Sequence, residues 1–146
     1  MSFKPIRTFL ENRLLEVDSD FQEHYAAFDL ESVPSTNDDK RFHIFYGNVT
    51  TTTANQNTTD DTVNAVVTLW FSGQRETKDI LDDAMDLANE FRINCLRQQK
   101  LSGQTFIKRV VSQSIVAEPL NTNDGSFRII LSFSIRVIFG TNVNLD

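Results

Sequence analysis

Apolar residues recur at intervals of three and four positions in two separate parts of the chain. The first part predicts a helix over residues 6–17, with Pro5 in its first turn, where the missing N–H would have no partner anyway. The second predicts a longer amphipathic helix over about residues 77–98, whose acidic first half and basic second half match the helix dipole. The residues of the two predicted buried faces are Ile6, Phe9, Leu10, Arg13, Leu14 and Val17, and Ile80, Ala84, Leu87, Ala88, Phe91 and Cys95.

Alternating apolar and polar residues predict strands in four other segments. Residues 42–46 and 63–71 predict a first hairpin, and residues 106–117 and 127–139 predict a second one. The last of these strands exceeds the usual length of about 5–6 residues. Residues 24–30 could add a short strand before the first hairpin. In the strand over 106–117, the alternation places on one face Ile107, Val111, Ile115 and Ala117.

A polar segment rich in Thr, Asn and Asp separates the two strands of the first hairpin. Residues 50–62 contain no apolar side chain larger than Ala54, so they cannot bury enough surface to offset the entropy lost on ordering. We therefore expect a long, mobile loop, and long loops in compact domains are usually functional or disordered. The candidate partner-contact residues are Thr50, Thr51, Thr52, Thr53, Asn55, Asn57, Asp60 and Asp61.

The predicted order of helix, hairpin, helix and hairpin favours an α+β fold. We expect an antiparallel or mixed sheet of four or five strands, with both helices packed on its apolar face and with long hairpin loops. The other face would combine Ser, Thr and Arg with apolar residues such as Ile130 and Ile138, a mixture that suggests a partner. The 146 residues fit a single domain, 1–146, that folds without disulfide or metal.

The charge of the chain bears on its partners. It has 20 acidic and 14 basic residues and a net charge of −6, which argues against a protein that holds nucleic acid by neutralising phosphates. Binding by base stacking would need aromatic residues among basic ones on an exposed sheet. The last hairpin could supply the positive charge. Most phenylalanines, however, fall at the positions predicted to face the core, which favours packing in the core over stacking on bases. The basic residues concerned are Lys108, Arg109, Arg128 and Arg136.

Residue types that carry catalysis do not converge in the pattern. His24 and His43 are far apart in sequence and have no cysteine nearby, so a metal site is not predicted. Cys95 falls within an apolar helix face and is expected to be a buried, inert thiol. The remaining candidate is a Mg²⁺ site on the second helix, formed by Asp79, Asp82, Asp83 and Asp86. These acids lie opposite the apolar stripe, where a solvent-exposed face is expected. We predict no enzyme, no cofactor and no catalytic or metal-binding residues.

The arrangement of these elements resembles that of the tail terminator (tail completion) proteins of tailed bacteriophages. The most similar stretches are the two helices, over 6–17 and 78–96, and two strands, over 65–71 and 127–139. The resemblance implies a subunit that closes into a ring, expected to be a hexamer, on the end of the tail tube. Such a ring stops tube polymerisation and offers the head-side connector a docking surface.

Partners and location follow from the same resemblance. It implies contact with copies of the chain itself, with the tail tube protein, with the head-side connector or neck protein, and with sheath protein if the tail contracts. DNA would pass through the ring without specific binding. No apolar stretch reaches membrane-spanning length, so the chain is expected to be made in the host cytoplasm. The resemblance implies a final place in the virion, at the head-proximal end of the tail. The alternatives are another tail or neck component, such as a tube subunit or head-completion protein, and a small metal-dependent enzyme using the helix carboxylates.

Overall fold

The computed structural model describes residues 3–24, 39–54, 58–72, 78–96, 105–119 and 126–140, which form two helices and five strands. The predicted α+β class is confirmed. In chain order the elements are α1 (Lys4–Val17), β1 (Gln22–Glu23), β2 (Arg41–Ala54), β3 (Thr58–Phe71), α2 (Lys78–Leu96), β4 (Thr105–Pro119) and β5 (Phe127–Gly140).

One mixed sheet contains all five strands, in the spatial order β1-β2-β3-β5-β4. The short β1 runs parallel to β2, and every other pairing is antiparallel. A short strand does precede β2, at Gln22–Glu23, and the N–H of His24, where the predicted 24–30 strand begins, donates to the Phe42 carbonyl at 2.8 Å. Residues 25–30 of that prediction lie outside the described residues.

Helix α1 buries the face that its sequence predicts. Ile6, Phe9, Leu10 and Leu14 are buried, and so is Arg13, which is 4% exposed. Phe3 is the N-cap and makes no side-chain cap hydrogen bond, while the Asp18 N–H closes the C-terminal turn on the Leu14 carbonyl at 3.0 Å. Apolar periodicity, rather than capping, therefore specifies this helix.

Helix α2 lies on the same side of the sheet as α1 and packs through small residues. Ala84, Ala88 and Cys95 are buried, and the Phe91 ring meets the Phe133 ring of β5 edge-on, with centroids 5.8 Å apart. The small side chains allow the helix backbone to approach the sheet closely, so that Phe91 reaches its centre. The acids on the opposite side of the helix are exposed, as predicted for Asp82, Asp83, Asp86 and Glu90.

The polar segment predicted as a mobile loop is instead mostly strand, so that prediction is wrong for its described part. β2 continues to Ala54 and β3 begins at Thr58. Threonine is β-branched and tolerates extended backbone well. The decisive partner is β5, which pairs with β3 from Thr58↔Gly140 onward, so the segment gains backbone hydrogen bonds on both sides of β3.

Strand β4 departs from simple alternation because it contains two bulges. Its register with β5 shifts between Ile107 and Arg109 and again between Ser112 and Ser114. Each extra residue reverses the side-chain phase. Val111, predicted on the same face as Ile107, therefore lies on the opposite face, and Ala117 shares the helix-side face but is exposed.

Candidate functional site

The two described helices cover one face of the sheet, and the face that neither of them covers is here called the open face. On β5 the core positions alternate with open-face positions, and the open-face residues are Arg128, Ile130, Ser132, Ser134, Arg136 and Ile138. The register extends this face across β3, where Thr62 lies opposite Arg136, and across β4, where Arg109 does. The mixture of apolar and polar residues predicted for this face is present there.

A group of basic residues surrounds one carboxylate at one end of the open face. Arg136 donates to Asp60 through Nε at 3.0 Å and through Nη2 at 2.8 Å, and the Lys108 Nζ lies 3.5 Å from the same carboxylate. The bulge after Ile107 sets Lys108 beside Arg109, which lies opposite Arg136 in register. Lys108, Arg109 and Arg136 are called the basic cluster below. Among the described residues, one acid, Asp60, contacts this cluster, through Lys108 and Arg136.

The electrostatics of Asp60 follow from these contacts. Hydrogen bonds from Arg136 hold the pKa of the Asp60 carboxyl below its ordinary value of 3.8, against a partial burial that raises it, and the charges of Arg136 and Lys108 act in the same direction as the hydrogen bonds. The same contacts raise the pKa of Arg136. Asp60 and Arg136 are thus both ionised throughout the neutral range.

Acid is expected to weaken this contact. Because the folded-state pKa of Asp60 is depressed, its contribution to stability is present well above pH 3.8 and is lost as pH falls through the folded-state pKa. The Asp60→Asn variant should be less stable than wild type at neutral pH and should approach it under acid conditions. Urea unfolding at a series of pH values measures both curves. A difference that stays constant with pH would contradict the assignment.

The other end of the open face carries further charges around a buried tryptophan. Arg128 donates through Nε to Glu118 at 2.9 Å, and its register partner on β3 is Trp70. Arg41 lies on the other side of Trp70, and the His24 ring packs on the indole with centroids 5.4 Å apart. The Trp70 indole N–H is buried and has no hydrogen-bond acceptor among the described residues.

Exposed apolar side chains lie between the two charged ends. Phe45 is 41% exposed on β2 beside His43, and Val111 and Val116 on β4 are 38% and 45% exposed. Desolvation lowers the pKa of His43, and the positive charge of Arg7 adds to that effect, so His43 is neutral at physiological pH. A half-apolar, half-cationic sheet face of this kind is typical of a contact surface.

Both sides of the sheet end in strands whose outer edges pair with no strand in the described part of the chain. β4 is the last strand on one side over all its 15 residues. On the other side, β1 covers only Arg41 and Phe42 of β2. Further along β2, every residue from Gly47 to Ala54 is exposed. Two long edges therefore offer backbone N–H and C=O groups to another chain.

The predicted partner-contact residues are divided by the fold. Thr50, Thr51, Thr52 and Thr53 are exposed on the distal half of β2, and Asp60 belongs to the open face. Asp61 is buried on the helix side, where its Oδ2 accepts from the Thr59 hydroxyl at 3.0 Å, so it is not placed to meet a partner directly. Asn55 and Asn57 lie outside the described residues.

The other sites weighed in the sequence have a plain structural description. Burial raises the pKa of the Cys95 thiol well above its ordinary value. Among the residues that the structure describes, no three His, Cys, Asp or Glu side chains are grouped closely enough to hold a metal ion. The described helices include none that is both long and apolar enough to span a bilayer. An open groove of about 410 Å³ runs between the helices and is lined by Glu16, Val17, Glu90, Ile93 and Asn94.

Sequence reasoning found part of this surface. It singled out Lys108, Arg109, Arg128 and Arg136 as basic residues of the last hairpin, and the structure places all of them on or beside the open face. It missed Arg41 and Phe45, which extend that face to β2. The alternation in 41–46 could have shown them, because Phe42 and Ile44 take the core phase and leave their neighbours on the other side.

Comparison with known proteins gives a structural likeness only. No family model matches the sequence, and no curated protein matches it. Among solved structures, the fold is similar to that of a chain from the virion of a native gene transfer agent (GTA) particle, with a TM-score of 0.56 and 12% identity. The match covers 88% of this chain and 91% of the other. It shows a shared fold over nearly the whole of both chains.

Proposed function

We propose that this chain is a structural virion protein that forms a ring, a hexamer, on the end of a phage tail tube. The ring ends tube polymerisation and provides the surface on which the head-side connector or neck protein docks. In a contractile tail it also contacts the last sheath ring. DNA passes through the ring without sequence-specific binding. The protein acts in the virion, at the head-proximal end of the tail, after assembly in the host cytoplasm, and it is not an enzyme.

The observation that carries this proposal is the outer edge of β4. It extends over 15 residues, is not covered by another described strand, and exposes the β-branched residues Val111 and Val116. A long uncovered edge is a template for pairing with another chain, and proteins that stay monomeric usually blunt such edges with charges or by covering them. Charges occur only near the ends of β4, at Lys108, Arg109 and Glu118.

The second open edge makes closure into a ring possible. β2 and β4 run in opposite directions in the sheet, because each neighbouring pair from β2 to β4 is antiparallel. Copies related by rotation about an axis along the strands would therefore bring the β4 edge of one copy beside the β2 edge of the next in antiparallel orientation. The two edges are different surfaces, and heterologous contacts of this kind generate rings when the rotation closes.

Support for a virion role comes from the structural likeness. The similar chain is part of a gene transfer agent virion, and the likeness covers 88% of this chain rather than a single hairpin. Folds alone do not fix function, so the step from shared fold to shared role is our inference. The more specific role, that of a tail terminator, rests on the order and spacing of the helices and strands.

Introducing charge on the β4 edge tests the proposal. The Val111→Lys/Val116→Lys variant should fold normally, because both side chains are already exposed, but it should lose ring formation because lysine on an edge strand opposes pairing. Light scattering over a concentration series, with and without purified tail tubes, should show a ring of wild-type chains and a monomer of the variant. Ile93→Lys on α2 is the matched control, since Ile93 is 50% exposed on the helix side.

Other results would change the assignment. Open filaments of wild-type protein would favour a tube subunit, because a ring that closes does not polymerise. A wild-type chain that stays monomeric in the presence of tubes would overturn the terminator role. A ring that survives the β4 variant would show that assembly uses another surface, such as the exposed threonines of β2.

A further inference from the structure

The open face and the helix side of this domain carry opposite charge. Basic residues dominate the open face, where Asp60 and Glu118 are the acids among the described residues; the basic residues are Arg41, Lys108, Arg109, Arg128 and Arg136. The helix side exposes Glu16 and the α2 acids Asp82, Asp83, Asp86 and Glu90. The described residues of the open face therefore carry a net positive charge, although the whole chain has a net charge of −6.

We infer that the open face is a contact surface for the phosphate backbone of duplex DNA. A flat antiparallel face cannot enter a groove, but its lysine and arginine side chains can meet phosphates without reading sequence. Asp60 orients Arg136 through a two-point contact and leaves Lys108 and Arg109 with exposed charge. The basic cluster thus carries more positive charge than Asp60 neutralises.

The spacing of the charges suits a duplex that runs along the strands. Arg128 and Arg136 are on one strand, eight residues apart, which corresponds to about 27 Å at the rise of an extended chain. That length equals about eight base pairs at 3.4 Å each. The two ends of the face would therefore contact phosphates about three-quarters of a helical turn apart.

In the proposed ring, DNA passes through the central hole and would meet this face there. The inference therefore rests on the proposed function. When copies join edge to edge, their sheets form a closed ring, and the outer, convex face of that ring has a larger circumference than the inner, concave face. The layer of two helices needs the wider side, so the open face lines the hole. A lumen of this kind would guide DNA by weak, exchangeable phosphate contacts.

The experiment measures binding of a fluorescein-labelled random-sequence duplex to the full chain by anisotropy, at several salt concentrations. Wild type should bind at low salt, with affinity that falls steeply as salt rises. The Lys108→Glu/Arg109→Glu variant should bind about tenfold more weakly or worse, and the slope of log affinity against log salt should decrease by about 2. The matched control is Lys4→Glu/Arg92→Glu, with the same charge change on the helix side and an expected affinity near that of wild type.

A gain-of-binding variant separates this effect from damage to the fold. Asp60→Asn removes the acid from the basic cluster, so it should bind DNA several-fold more tightly although it is less stable. No wild-type binding at low salt, or equal losses in the double variant and its control, would overturn the inference. Tighter binding to poly-glutamate than to DNA would overturn it in favour of an acidic protein partner. Light scattering on the same samples measures ring formation separately. A ring that does not bind DNA would overturn this inference and leave the proposed function intact.

Discussion

Replacing Phe133 with alanine should lower the free energy of unfolding by about 4 kcal/mol. Phe133 is fully buried on β5, and its cross-strand neighbours are the small residues Ala65 and Ser112. The phenyl ring of Phe133 lies over both of these small residues and meets the Phe91 ring edge-on, with the two ring centroids 5.8 Å apart. Small neighbours on a sheet and the backbone of α2 cannot collapse far enough to fill the cavity that alanine would leave.

Phe45→Ala is the matched control for this prediction, since it makes the same change on the same sheet. Phe45 lies on the open face and is 41% exposed, so its truncation should cost no more than about 1 kcal/mol. Urea unfolding of both variants provides the comparison. Similar losses in the two variants would mean that Phe45 is also buried in the native assembly, and would contradict the division of the sheet into core and open faces.

A polar cluster between the helices should give the second-largest effect. Arg13 Nη1 donates to the Asn94 Oδ1 at 3.3 Å and to the Glu16 Oε2 at 3.2 Å, and the Asn94 Nδ2 donates back to the Arg13 carbonyl at 3.0 Å. The Asn94→Leu variant should lose about 2–3 kcal/mol, because it removes a hydrogen bond to a buried charged group. The Arg13 Nε and Nη2 are already buried without acceptors among the described residues, although the guanidinium packs over Phe9.

Removing the Arg13 guanidinium as well should restore most of the free energy of unfolding that Asn94→Leu loses. The Arg13→Met variant replaces an incompletely paired guanidinium by an apolar chain of similar length, and such replacements are often neutral or stabilising. The double variant Arg13→Met/Asn94→Leu should therefore be closer to wild type than Asn94→Leu alone. A double-mutant cycle measured by urea unfolding gives the coupling. Additive losses would show that Arg13 stabilises the native state independently of Asn94.

The location of this polar cluster bears on assembly. It joins α1 to α2 on the helix side, away from the basic cluster and from both open sheet edges. Variants within it should therefore change the stability of the subunit without changing how rings form or how DNA is bound. The Val111→Lys/Val116→Lys and Lys108→Glu/Arg109→Glu variants are expected to do the opposite. These outcomes would separate the residues that hold the two helices together from the residues that make the proposed contacts.

Local periodicity determined the parts of the fold that one element can specify by itself. The 3.6-residue repeat fixed which residues of α1 and α2 face the core, including Arg13, and the two-residue repeat fixed the inward side chains of β5. The α+β class followed, because these stripes need one another for burial. The exposed acids of α2 followed as well, since charge opposite an apolar stripe belongs in water.

Only the tertiary structure decided features whose partners lie far away in sequence. The segment from Thr58 onward is a strand because β5 pairs with it, whereas its threonines permit an extended backbone without specifying it. Val111 faces outward because bulges in β4 reverse its phase. Asp60 meets Arg136 across 76 positions, and Arg13 meets Asn94 across 81. Periodicity records the preference of each residue for core or water, whereas pairing register and charge convergence arise only when distant strands and helices come together.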